Sequence, residues 1–197
     1  MGQNLGRVPI WAIASIVLSF LPTSPASLVD LLDFIARFLQ DETEIATGGI
    51  RDRIRQRIAY ALSDVLQEGN YDRVTVLAHS AGVLIGIDLL ADYRPKVTKP
   101  IRFLSMGGQI ELLSYRSPWI AEESIRCVEN GALTSWEDFY SKQDWFSTKT
   151  PTPRSPHATK FSTLQVQLRA PLSKQLTGET HAIYFFDPGL LSRLLEW

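Results

Sequence analysis

Residues 73–82, which read RVTVLAHSAG, most constrain how this 197-residue chain can fold. An apolar, β-rich run ends there in a turn where Ser80 lies between small residues, and an apolar helix-like segment follows at once. Apolar residues also recur at helical spacing over 54–65, and a Gly-Asn pair at 69–70 ends them. The order helix, strand, serine turn, helix predicts an α/β unit with Ser80 between a strand and a helix.

The turn at Ser80 has two interpretations. In a nucleophile elbow, a sharp turn projects the serine hydroxyl beside backbone N–H groups and the positive end of a helix dipole. In an ordinary strand-to-helix turn, the same serine is the N-cap of the helix. The small-x-Ser-x-small pattern alone does not decide between them, since average composition produces it about 0.3 times by chance in a chain this long.

The position of the histidines favours the elbow. A serine nucleophile needs a base, and the chain has three histidines. His79 adjoins Ser80, so we predict that its side chain points away from the serine hydroxyl. His157 lies in a proline-rich connection and is predicted to be a surface residue. His181 follows the last strand-like run, residues 161–168, and is therefore the candidate base.

A carboxylate that orients the base is expected between the serine and His181. Asp138 lies within a strand-like run, residues 133–140, where aspartate is disfavoured, and we predict that it faces solvent. Asp144 falls in the loop at the carboxyl end of that run, where open α/β sheets build their sites. The predicted triad is therefore Ser80, Asp144 and His181, in that chain order.

These motifs resemble the lipase/esterase-like α/β-hydrolase superfamily, in which the triad has the order Ser, Asp/Glu, His. The resemblance covers roughly residues 48–190 and is carried by residues 78–82, residues 136–140, Asp144, His181 and Tyr184. The chain is more narrowly similar to bacterial, often membrane-associated serine hydrolases with a glycine turn after the next strand, here residues 103–108. The resemblance implies Ser80 as nucleophile, Asp144 as acid and His181 as base.

The resemblance also implies a mainly parallel sheet flanked by helices, here lacking the usual first strands. Ala78 replaces the first glycine of the elbow, which is the mildest change at a crowded turn. The N–H of Ala81 is expected to be one oxyanion donor. A second donor usually comes from a His-Gly loop after an early strand, but no His-Gly pair precedes Ser80; residues 47–49 are an alternative source.

The function expected from the resemblance is hydrolysis of carboxylic esters, including lipid or fatty acyl esters, through an acyl-enzyme. No metal or organic cofactor is expected. Two other hypotheses remain open: a truncated, non-catalytic relative acting as a membrane or interaction protein, and acyl transfer to an acceptor other than water.

Composition restricts the classes of protein and of partner that remain possible. The chain is 45% hydrophobic and 21% charged with a net charge of −1, which fits one sizeable core and indicates no nucleic-acid partner. Arginines at 51, 53, 55 and 57 are predicted to spread around a helix as a solvated face, because their spacing is two. Cys127 is the single cysteine, so an intrachain disulfide framework is excluded, and no Cys/His cluster indicates zinc.

The amino end is predicted to be a separate hydrophobic and amphipathic segment, residues 1–46, before a catalytic domain at 47–197. Residues 8–21 are nearly all apolar, and a membrane segment, a buried element and a signal peptide all remain open. An amphipathic stripe over 28–39 fits either a membrane surface or the sheet. Membrane association through residues 8–39 and a cytoplasmic location are both compatible with this pattern, and secretion is the least favoured.

Two features surround the predicted acid. Five aromatic residues are expected to cluster there, either lining an acyl pocket or belonging to the core: Trp136, Phe139, Tyr140, Trp145 and Phe146. Residues 147–156 are interpreted as a connection that is either solvated or part of the substrate entrance.

Overall fold

A computed structural model describes residues 25–40, 49–68, 70–94 and 99–196. The helices are α1 (Pro25–Gln40), α2 (Ile50–Gln67), α3 (Ala81–Asp92), α4 (Ile110–Arg116), α5 (Trp119–Glu129), α6 (Leu172–Thr177) and α7 (Pro188–Leu195). The strands are β1 (Val74–His79), β2 (Ile101–Met106), β3 (Leu133–Tyr140) and β4 (Phe161–Gln165). Short 3₁₀-helices cover Ala158–Lys160 and Glu179–Phe186.

The strands form one parallel sheet in the order β1-β2-β3-β4. Its register aligns Val76 with Phe103, Phe103 with Trp136, and Trp136 with Phe161. The α/β fold class predicted from the sequence is therefore confirmed, as is the predicted order of α2, β1, serine turn and α3. In the described residues no strand precedes β1, so β1 is an edge strand of this sheet.

Helices cover one face of the sheet. Because consecutive parallel strands lie side by side and crossovers are right-handed, the connecting helices are expected on a single face. Ile101 and Phe103 of β2 pack there in one core with Ile87 of α3 and Ile120 of α5. The alternation of β2 then turns Leu104 to the opposite face.

The carboxyl-terminal part of the chain covers that opposite face. Leu104, Met106 and Phe139 pack there against Tyr184 of the second 3₁₀-helix and Leu190 of α7. The helix that carries His181 is thereby fixed to the sheet.

Arg102 on the same face fastens the chain end. Its guanidinium lies 2.6 Å from the Glu137 carboxylate and donates to the backbone carbonyls of Arg193 (2.7 Å) and Glu196. A buried arginine that is hydrogen-bonded in this way holds α7 against β2 and β3.

A buried ion-pair network joins α2, α3 and α5. Asp88 of α3 is 1% exposed and lies 2.5 Å from Arg51 and 2.9 Å from Arg55, and Arg51 also lies 3.2 Å from Glu123. The prediction of a solvated arginine face was therefore wrong for Arg51 and Arg55, because a spacing of four places them on the same side of α2, toward α3. The arginines at 53 and 57 are exposed, as predicted.

Helix α1 packs on the core through part of its surface. Phe38 is buried in the same core as Leu62 and Leu66 of α2, whereas Val29 and Leu32 are exposed. The apolar residues 8–21 lie outside the described residues, so the predicted membrane segment is not described. Within the described ranges, no helix has the length and apolar character needed to cross a membrane.

We expect Asp88→Asn to lower the free energy of unfolding on the order of 3–5 kcal/mol, because it removes the buried anion shared by two guanidinium groups. Urea denaturation followed by circular dichroism measures this change. The matched control is Asp33→Asn, which breaks an exposed pair with Arg37 of α1 and should cost less than about 0.5 kcal/mol. Similar losses in both variants would contradict a structural role for the network.

Candidate active site

Ser80 lies between β1 and α3 in a strained backbone conformation. Its φ of 57° and ψ of −130° place it in a region that non-glycine residues rarely adopt. Its N–H donates to the carbonyl of Met106 at 3.0 Å, and its carbonyl accepts from the N–H of Val83 at 3.0 Å. The neighbouring strand and the first turn of α3 thus hold the strained turn from both sides.

The serine side chain does not cap α3. No capping hydrogen bond joins the Ser80 hydroxyl to the N–H groups of the first turn. The N-cap interpretation of this turn therefore fails, since the preference for serine at an N-cap rests on that bond. Near the serine turn, Gly86 of α3 is the position with no room for a side chain. A Cβ added there would lie 2.8 Å from the Phe103 ring and 3.5 Å from the Ala78 side chain.

The structure brings Asp144 and His181 together. The Nδ1 atom of His181 lies 2.8 Å from Oδ2 of Asp144, and the other carboxylate oxygen accepts from the N–H of Phe146 at 3.1 Å. The Asp144 side chain is fully buried, while 19% of the His181 side chain is exposed. Because a carboxylate accepts, Nδ1 of His181 is the donor, and in the neutral imidazole the lone pair is on Nε2.

Ser80 and His181 both lie where the strands of the sheet have their carboxyl ends. Ser80 bonds to Met106, and a Cβ added to the next residue, Gly107, would lie 3.2 Å from Cε1 of His181. Within the described residues, no hydrogen bond joins the Ser80 hydroxyl to the His181 ring. The structure thus pairs acid and base directly and places the serine at a neighbouring strand end.

His79 belongs to this site, which the sequence reasoning missed. Its Nε2 lies 2.7 Å from the backbone carbonyl of His181, and the two imidazole rings are 4.6 Å apart between centroids. Burial, and next the neighbouring His181, lower the pKa of His79 below its usual value. The sequence contained only part of the information that places His79 in the site. The alternation of β1 puts His79 on the same face of the sheet as Leu77, but nothing in the sequence says that this face is covered near residue 79.

His157 is exposed in the structure, which confirms that it is a surface residue.

Asp138 corrects one prediction. It does not face solvent: it is 1% exposed, and it accepts from the Ser105 hydroxyl at 2.6 Å and from the N–H of Thr150 at 3.1 Å. Burial raises the pKa of this carboxyl, and the hydrogen bonds oppose that rise. The prediction was wrong because Asp138 lies on the same face of β3 as the buried Trp136, and hydrogen bonds satisfy its oxygens there.

The aromatic residues near Asp144 divide between core and surface. Trp136 and Phe139 are buried in the core, whereas Trp145 is 51% exposed and stacks on Phe146 with centroids 3.8 Å apart. The Phe146 ring lies 5.5 Å from the His181 ring. Tyr184 is fully buried, and burial followed by the Asp144 charge raises its pKa.

The backbone around Ser80 offers one candidate oxyanion donor. Ala81 is the first residue of α3, where N–H groups have no partner within the helix. The N–H of Gly107 is occupied, because it donates to the carbonyl of Phe139 at 3.0 Å. Of the alternative source at residues 47–49, only Gly49 is described, at the amino end of α2; residues 47 and 48 lie outside the described ranges.

A surface groove of about 370 Å³ lies elsewhere, between α4, α5 and residues 151–154. None of Ser80, Asp144 and His181 lines it. Among the residues that the structure covers, no group of three or more His, Cys, Asp or Glu side chains is placed to hold a metal ion.

Comparison with protein-family models, curated proteins and solved structures found no match to this chain. The structure itself shows an α/β fold with a parallel four-stranded sheet.

Gly107→Ala should lower the free energy of unfolding by about 1–2 kcal/mol, because the glycine has a φ of +64° that is costly for an L-residue. The added methyl group would also press on the rings of His181, Tyr184 and His79, each within 3.3 Å of the new Cβ. Urea denaturation measures the cost. Gly131→Ala is the control, since its Cβ would meet nothing within 4 Å; equal costs would contradict a constraint specific to Gly107.

Proposed function

We propose that this protein is a serine hydrolase of the α/β-hydrolase type that cleaves carboxylic esters through an acyl-enzyme. The observation that carries the proposal is the hydrogen bond between the buried Asp144 carboxylate and Nδ1 of His181, at the strand edge where Ser80 occupies a strained turn. A buried carboxylate that fixes one nitrogen of a partly exposed imidazole leaves the other nitrogen available as a base.

The proposed reaction has two halves. The Ser80 oxygen attacks the ester carbonyl and its proton passes to Nε2 of His181, while the N–H of Ala81 donates to the developing oxyanion. The imidazolium returns that proton to the leaving alcohol as the carbon–oxygen bond breaks. His181 then accepts a proton from a water molecule that attacks the acyl-enzyme. This step releases the carboxylic acid product and restores the serine.

Asp144 stabilises the imidazolium and holds the ring with Nε2 directed away from the carboxylate. The hydrogen bond from Ser80 to Nε2 must form on the way to the transition state. Such bonds are often long in unliganded enzymes and shorten when substrate binds.

A fluorophosphonate probe tests for an activated serine. We expect one covalent label on the wild-type chain by intact mass, and none on Ser80→Ala or His181→Ala. Asp144→Asn should slow labelling by about 10⁴-fold, since the amide favours the wrong imidazole tautomer. Ser162→Ala and His157→Ala, which alter exposed residues, are the matched controls and should label at the wild-type rate.

Absence of label on a folded wild-type chain would favour the second candidate, a non-catalytic α/β protein that acts in interactions. Two observations favour that candidate: the hydroxyl and the base are not hydrogen-bonded in the described residues, and a single oxyanion donor is identified. Removing one such donor typically costs about 10²–10³-fold in rate. If label is found, adding an acceptor alcohol to an ester assay separates acyl transfer from hydrolysis by the products formed.

Exposed apolar side chains near His181 support an apolar acyl group as the substrate. Phe185 lies 4.9 Å from the His79 ring between centroids, and its neighbour Phe186 is 76% exposed. Trp145 is within 3.5 Å of the position of a Cβ on Gly178, which links α6 to the helix carrying His181. Large apolar side chains gathered beside a site are typical of a surface that binds apolar ligands.

Phe186→Ser and Trp145→Ser should each reduce kcat/KM for p-nitrophenyl decanoate roughly tenfold, through loss of about 1.4 kcal/mol of apolar burial. The same variants should change kcat/KM for p-nitrophenyl acetate little, because a short acyl group does not reach these side chains. Tyr60→Ser, at an exposed aromatic residue of α2, is the control. Equal effects on both esters would contradict an acyl-binding role.

A further inference from the structure

His79 contacts the candidate base more closely than its place in the sequence requires. It is the last residue of β1, yet its ring lies against the His181 ring, and the Phe185 ring packs edge-to-face with it at 4.9 Å between centroids. A partly buried imidazole N–H needs a hydrogen-bond partner, and the partner here is a carbonyl of the residue that carries the base.

The hydrogen bond from His79 fixes its tautomer. A backbone carbonyl can only accept, so Nε2 of His79, which lies 2.7 Å from the His181 carbonyl oxygen, carries the hydrogen. In the neutral ring, Nδ1 then carries the lone pair. The bond restrains the backbone of the residue whose ring must accept the serine proton.

We propose that His79 is a positioning residue for His181: its neutral ring fixes the backbone of the base, and its protonation opposes formation of the imidazolium that catalysis requires. This inference rests on the proposed function. The charged or titratable groups that face His79 are His181 and Tyr184 of the 3₁₀-helix and Asp144 of the loop after β3. The rings of His79 and His181 are 4.6 Å apart between centroids in a partly buried site. A positive charge on His79 therefore raises the energy of the state in which His181 is an imidazolium.

The sign of the pH effect follows from burial. Burial lowers the pKa of His79 below its unfolded value of 6.5, so the folded chain binds fewer protons than the unfolded chain. The stability contributed by neutral His79 is therefore present above pH 6.5 and is lost as the pH falls through the lowered pKa. Protonation of His79 should therefore add its own loss of reaction at Ser80 at low pH.

Two variants separate the hydrogen bond from the charge. His79→Phe keeps a ring but removes the donor, and should slow fluorophosphonate labelling on the order of 100-fold if the base is displaced by about an ångström. His79→Gln keeps an N–H donor at the Nε2 position and cannot titrate, so it should retain most of the wild-type rate. His157→Phe, at the exposed histidine, is the control for loss of an imidazole.

The decisive readout is the acid limb of the labelling rate against pH. We expect a limiting slope of two for the wild-type chain and of one for His79→Gln. A slope of one in both the wild-type chain and His79→Gln would overturn the inference. So would recovery of the labelling rate of His79→Phe when that variant is only made more stable. If the wild-type chain is not labelled at all, the proposed function fails as well; labelling of the wild type with unchanged rates in both His79 variants would overturn the positioning role alone.

Discussion

Packing of the carboxyl-terminal segment on the second face of the sheet is the interaction on which the site depends. Tyr184 and Leu190 are buried against Leu104 and Met106 of β2, and this contact brings a residue near the chain end to the edge where β1 and β3 also end. Without it, the helix that carries His181 would have no fixed position relative to Asp144. The apolar burial therefore assembles the polar site, and the hydrogen bonds then refine its geometry.

The buried carboxylates of the fold have different partners and therefore different roles. Asp88 is neutralised by arginines, and Asp138 is satisfied by a hydroxyl and a backbone N–H deep in the sheet. Asp144 alone of these three faces a titratable side chain that also reaches solvent. Desolvation is costly for all three, but only at Asp144 can the partner lose and regain a proton during a reaction.

The sequence predicted the parts of the fold that depend on local pattern. The serine turn follows from an apolar run between two helical periods, and the pairing of Asp144 with His181 follows from the rule that sites in parallel sheets lie at the carboxyl ends of strands. The burial of Asp138 and the ion pairs of Arg51 could not be predicted in this way, because they depend on how segments distant in the sequence pack together. The contact between His79 and His181 also depends on tertiary packing, since it joins residues 102 positions apart in the sequence.

The strained backbone conformation of Ser80 depends on the sheet being intact. A conformation of this kind costs about 1–3 kcal/mol and persists only while its surroundings enforce it. One of the two enforcing bonds comes from the end of β2, so separation of the β1 and β2 ends lets the turn relax to an ordinary backbone conformation. The backbone position of Ser80 is then no longer fixed, although most of the secondary structure is intact. Under the proposed function, labelling of Ser80 is therefore expected to report fraying of this strand pair before the fold as a whole is lost.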